Sequence, residues 1–139
     1  TGAMFLQVAL KHMFADEPRV HIDCTSSVFQ YFEFGTSFFG VHHGHTCKAD
    51  KLPLVMASDK PKEWGNSKFR YWLTGHIHHD TLKEYSGCTV ESFRTLAAKD
   101  NYAYSHGYRS GQDTKALVIH KKHGEIERHT INISQLLDI

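Results

Sequence analysis

A chain of 139 residues, 40% apolar and with a formal charge of +1, is sized for one domain with a real core and carries no global field that would draw it toward nucleic acid or an anionic membrane. It has no apolar run long enough to span a bilayer and no signal-type leader. Its three cysteines, Cys24, Cys47 and Cys88, are odd in number and widely spaced, so reduced thiols in a cytoplasmic protein are expected rather than a disulfide framework.

In chain order, Leu6, Leu10, Met13 and Phe14 recur at helical spacing, and Pro18 stops any continuation, which predicts an amphipathic helix over 4–14. Val20-His21-Ile22 alternates as a short strand. The aromatic runs Phe29–Phe34 and Phe38–Val41, separated by a turn at Gly35, predict a hairpin whose second strand ends at His42-His43-Gly44-His45. A helix with Pro53 in its first turn is expected between Lys48 and Ser58, and a second helix or turn from Pro61 through Trp64. The strand 69–73 then delivers Gly75-His76-Ile77-His78-His79-Asp80.

Strand, histidine cluster, helical segment, strand, histidine cluster is a βαβ-like order, so both clusters are expected at one C-terminal sheet edge. If the second cluster continues its strand, His76 and His78 face one cavity and Ile77 turns into the core. Residues 81–85 and 89–93 read as a hairpin around Ser86-Gly87. Residues 95–111, with Tyr102, Tyr104, His106, Tyr108 and Arg109, read as an ordered loop with a short helix. Residues 116–120 and 126–133 read as a terminal hairpin. No internal repeat or linker divides the chain.

Histidine is the outlier of the composition, with twelve in the chain. Neutral imidazole is the commonest nitrogen ligand for zinc, manganese and iron, and several imidazoles converging on one edge make a metal site; the bland alternative is that they cap strands and bond to water. Asp50 and Asp80 lie near the clusters but also sit where turn aspartates sit. Lys68, Arg70 and Lys83 could steer a phosphate, although a solvated strand edge explains them as well.

His43-Gly44-His45 after one strand and Gly75-His76-Ile77-His78 after the next resemble the C-terminal half of the calcineurin-like metallophosphoesterases. Together with Leu52–Ala57 and Trp64-Gly65-Asn66-Ser67-Lys68, they are most similar to the bacterial and phage branch related to DNA-repair exonucleases. The resemblance implies an α/β (α+β) fold, half of a two-sheet αββα sandwich with a mixed sheet and terminal hairpins. It implies a divalent metal (Mn, Zn or Fe) on His43, His76 and His78, with His45 and His42 as candidates for orienting a ligand or contacting phosphate. It implies hydrolysis of a phosphomonoester or phosphodiester, as in a phosphatase or nuclease, through attack by a metal-bound hydroxide.

The family's Asp-x-His, bridging aspartate and Gly-Asn-His are absent, so residues 1–139 are expected to be a partial domain without the N-terminal metal-binding half. That predicts at most one tight metal and no hydrolysis by the chain alone. Two alternatives stand beside it: a module holding a single structural zinc, and a non-catalytic interaction fragment whose sheet is completed by a second copy or a partner chain.

Overall fold

The structure is a computed structural model that describes residues 2–97 and 110–137. Its elements are α1 (Gly2–Met13), β1 (Gln30–Phe34), β2 (Ser37–His42), α2 (Leu52–Asp59), α3 (Pro61–Asn66), β3 (Phe69–Thr74), β4 (Thr81–Tyr85), β5 (Cys88–Ser92), β6 (Asp113–His120), β7 (Gly124–Asn132) and α4 (Ile133–Leu137). Five strands form a mixed sheet in the order β1-β2-β3-β5-β4, and β6 with β7 form a separate two-stranded sheet. The fold class is therefore α+β, as expected.

The hairpin β1–β2 turns at Gly35, whose φ of +59° is cheap only without a Cβ, and a Cβ there would also strike the carbonyl oxygen of Lys121. β2, β3 and β5 are parallel neighbours, with α2 and α3 in the crossover between β2 and β3, while β1 and β4 close the sheet as antiparallel edges. Residues of even number in β2 and β3 share one face. There Phe38, Trp72 and Val90 meet Leu52 and Met56 of α2 and form the core.

Arg70 also serves this layer, donating to the carbonyls of Trp64, Ser67 and Gly87, so its charge closes the end of α3 rather than facing solution. Cys88 lies in the same core, where burial pushes its thiol up to about 12. A thiol reagent at pH 8 is expected to label exposed Cys24 quickly and half-buried Cys47 more slowly. Cys88 should stay unmodified until the chain unfolds, which peptide mass mapping reads directly.

The opposite face carries Phe39 stacked between Phe32 and Tyr71, with centroids 4.6 and 5.1 Å away. The β6–β7 hairpin lies over it. Its turn is anchored where Thr36 N–H donates to Lys121 O at 2.9 Å, and Glu125 N–H donates to the Tyr71 hydroxyl at 2.9 Å. Buried Glu91 receives Lys115 and Arg128 from the hairpin. Beside β6, over Phe32, Phe34 and Phe39, an apolar cleft of about 560 Å³ stays open.

Two expectations change, and one element is new. Val20-His21-Ile22 is not a strand, because no other strand reaches it and the Asp23 carboxylate turns the chain by accepting from Thr25 N–H at 2.8 Å. The helix α1 forms over Gly2–Met13 but buries no residue, with Phe5 79% exposed and Met13 74%. The short helix α4 had no visible signal. Most of the tyrosine-rich loop, 98–109 with Tyr102, Tyr104, His106, Tyr108 and Arg109, lies outside the described residues. Among the described residues no helix is long and apolar enough to cross a membrane.

Candidate metal centre

Parallel register builds the site. His42 is level with Thr74 on adjacent strands, so His43 and Gly75 leave the sheet side by side, and Gly75 N–H donates to His43 O at 3.2 Å. The loops touch again at Gly44, where φ is +102° and a Cβ would stand 2.9 Å from Gly75 O; only glycine lets them approach so closely. Beyond this contact His43 Nε2 lies 3.1 Å from His76 Nδ1. The ring of His45 is 5.1 Å from that of His43 and 5.9 Å from that of His76.

The strand reading of the second cluster does not hold. β3 ends at Thr74, and His76 and His78 both take left-handed backbone, with φ of 63° and 53°. Ile77, expected in the core, is 47% exposed. Non-glycine residues rarely adopt this conformation, and where they do the surroundings must hold them there. The extrapolation failed because alternation ends where ladder hydrogen bonding ends, and the sequence does not mark that point.

His42 differs from its neighbours. It is 2% exposed, stacks on Phe29 at 4.8 Å, accepts Gly44 N–H at its Nδ1 and bonds Thr46 Oγ1 through its Nε2. Both nitrogens are engaged, so His42 shapes the loop that carries His43 and His45. Burial first, then repulsion by His45 and His43, lowers its pKa. His43 is also lowered, by loss of water around the ring and then by His76, His45 and His78. These shifts favour neutral rings, the form that binds a metal.

Among the described residues no three His, Cys, Asp or Glu side chains are placed so that they could hold one metal ion. The structure brings His43 and His76 together as a pair of donors with His45 beside them. His78 is near enough to act on His43 electrostatically but does not join the pair. Asp80 turns from the histidines to Lys115 Nζ, 2.5 Å away.

Sequence reasoning missed Thr46, Glu91 and Lys115. A signal existed only for Lys115, which shares the inward parity of Leu117 and Ile119 on a half-buried strand and so had to meet a carboxylate.

No family model matches the chain, and no curated protein matches it. Among solved structures, a single mutant of Vps29 from Entamoeba histolytica is similar with a TM-score of 0.47 at 15% identity, over 81% of this chain and 66% of that one. This chain therefore spans just under two thirds of that protein's length. The likeness is one of chain trace, does not reach the bacterial and phage branch, and assigns neither activity nor partners.

Proposed function

We propose that the two histidine loops are the imidazole half of a divalent-metal centre belonging to a phosphoesterase, and that the carboxylate half comes from outside residues 1–139. The 3.1 Å between His43 Nε2 and His76 Nδ1 supports this most directly. Two nitrogens bound to one cation at about 2.0–2.1 Å, with an angle of about 90–109° between them, stand about 2.8–3.4 Å apart. The pair thus has the spacing that a shared Mn, Zn or Fe ion needs, and the lowered pKa of His43 favours its metal-binding neutral form.

A bound cation supplies Lewis acidity toward a phosphoryl oxygen and lowers the pKa of a coordinated water. The chain's own residues do the rest. His43 and His76, beyond two adjacent strand ends, would hold the ion. His78, two residues on in the same loop and close enough to His43 to act on its charge, would be the candidate ligand for a second ion. His45, exposed beside the pair, can donate to a phosphate oxygen, and His42 fixes the loop that presents both. The substrate class is a phosphomonoester or phosphodiester, with nucleic acid included.

Titration with Mn²⁺ or Zn²⁺ is expected to saturate at one equivalent and to fail in His43→Ala and His76→Ala. Two stoichiometric equivalents would sink the half-centre, since neutral imidazoles alone do not offset repulsion between two cations. The chain by itself should not hydrolyse bis(p-nitrophenyl) phosphate above a metal-only blank. Turnover that disappears with His76→Ala would refute the claim of incompleteness.

A closed structural zinc is less well supported, because it needs four ligands and the rings here are exposed. The non-catalytic interaction reading draws on α1, which buries nothing, and on the open cleft beside β6, whose one neighbouring strand among the described residues is β7. It predicts self-association or capture of a partner chain in light scattering. A strict monomer that binds neither metal nor partner would remove its support.

A further inference from the structure

We propose that Lys115 of β6 is a positioning residue for the histidine loop: its ammonium ties Asp80, at the far end of that loop, to buried Glu91, and this tether holds His76 and His78 in left-handed backbone beside His43. The loop runs from Gly75 to Asp80. Its near end is fixed by Gly75 N–H on His43 O and by the Ser92 hydroxyl, which donates to Gly75 O at 3.4 Å. Its middle has no apolar anchor, because His76, Ile77, His78 and His79 are all exposed. Two left-handed histidines separated by one residue would relax unless the far end were held as well.

The far end is held by β6. Lys115 Nζ lies 2.5 Å from Asp80 Oδ1 and 3.2 Å from Glu91 Oε1, with the lysine side chain 7% and that of Asp80 29% exposed, so the ammonium is shielded while the Asp80 carboxylate still meets water. A second contact, between the Ser110 hydroxyl and His79 Nδ1 at 2.8 Å, comes from the residues just before β6. Glu91 does not depend on Lys115 alone. Arg128 donates to both of its oxygens, at 2.7 and 3.0 Å. Removing the ammonium therefore releases Asp80 while Glu91 stays paired. The hairpin, remote in sequence from every histidine of the pair, thus sets the geometry of the loop.

The test uses Asp80→Ala, Lys115→Met and their double variant, with Leu117→Ala on the same strand as a control for lost packing. In metal-free protein the ring resonances of His76 and His78, followed by ¹H–¹⁵N correlation, are expected to shift or broaden in both single variants and to do so no further in the double. Leu117→Ala should leave them in place despite a lower melting temperature. Unchanged histidine resonances in Asp80→Ala would overturn the tether, and that variant decides the matter if Lys115→Met does not fold.

The metal arm rests on the half-centre proposed above. There both single variants should weaken Mn²⁺ or Zn²⁺ binding about ten- to a hundredfold, with Leu117→Ala unchanged. Wild-type protein that binds no metal would refute the half-centre while the resonances still judge the tether. Wild-type binding that Asp80→Ala and Lys115→Met leave intact would refute the positioning role.

Discussion

Trp72→Ala is expected to cost about 3–5 kcal/mol, a large part of the roughly 5–15 kcal/mol that holds a domain of this size folded. Trp72 is 0% exposed on β3, the central strand, with Phe29 and Tyr31 rings set edge-on 6.0 and 5.5 Å away and Phe38, Leu52, Met56 and Val90 in the same cluster. Such a site cannot collapse after truncation, because the wall opposite the indole is backbone: a Cβ on Gly40 would stand 2.6 Å from the ring. Gly40→Ala should consequently destabilise by about 1–3 kcal/mol through overpacking.

Trp72→Phe should be milder than alanine, since it keeps most of the volume and removes an Nε1–H that has no partner among the described residues. Urea denaturation reads all three variants. A Trp72→Ala midpoint close to wild type would mean that the core is not organised around this residue. The same loss reaches function, because β3 carries Gly75 and His76 to the sheet edge.

The sequence was most legible where a period of two or 3.6 runs between clear punctuation. Phe29–Phe34 and Phe38–Val41 around Gly35, the helix at Pro53, the hairpin around Ser86-Gly87 and the terminal hairpin all formed within a residue or a few of their expected bounds. The shared sheet edge of the two histidine clusters followed from the order of elements, because a crossover through α2 and α3 brings β2 and β3 into parallel register.

What could not be read was set by tertiary contact. The left-handed turns at His76 and His78 follow from the end of a ladder and from bonds to β5 and β6. The separation of His42 from its neighbours follows from Phe29 and Thr46. The exposure of α1 could not be foreseen, because an apolar stripe announces a partner without saying whether the chain itself provides it. The assignment of His43, His76 and His78 as ligands rests on resemblance, and the described geometry pairs only the first two.

Glu91→Ala is expected to be nearly as damaging as Trp72→Ala, for the opposite physical reason. The carboxylate, 4% exposed, is the acceptor shared by Lys115 and Arg128, and the guanidinium also holds Glu125 at 2.6 Å. Truncating it leaves Lys115 with Asp80 alone and Arg128 with Glu125 alone, and opens a gap between the hairpin and β5, a change expected at the low end of the range for breaking a buried pair, about 3 kcal/mol. Replacing the three together, as Glu91→Leu with Lys115→Met and Arg128→Met, should recover much of the lost stability, because the most buried charge and both of its cations are removed, while Asp80 and Glu125, 29% and 23% exposed, can turn to water.

If the hub serves only to bind the hairpin, that triple variant should also keep the histidine loop in place. If Lys115 positions Asp80, it should be stable and yet show the same displaced His76 and His78 resonances as Asp80→Ala. The pH dependence has a defined sign. Burial works against the Lys115 charge, but its bonds to Asp80 and Glu91 outweigh it and raise its pKa above 10.5. The stability it contributes is complete below pH 10.5 and is lost as pH rises through the raised value. Lys115→Met should flatten the alkaline limb of the stability profile while leaving the profile between pH 6 and 9 parallel to that of wild type.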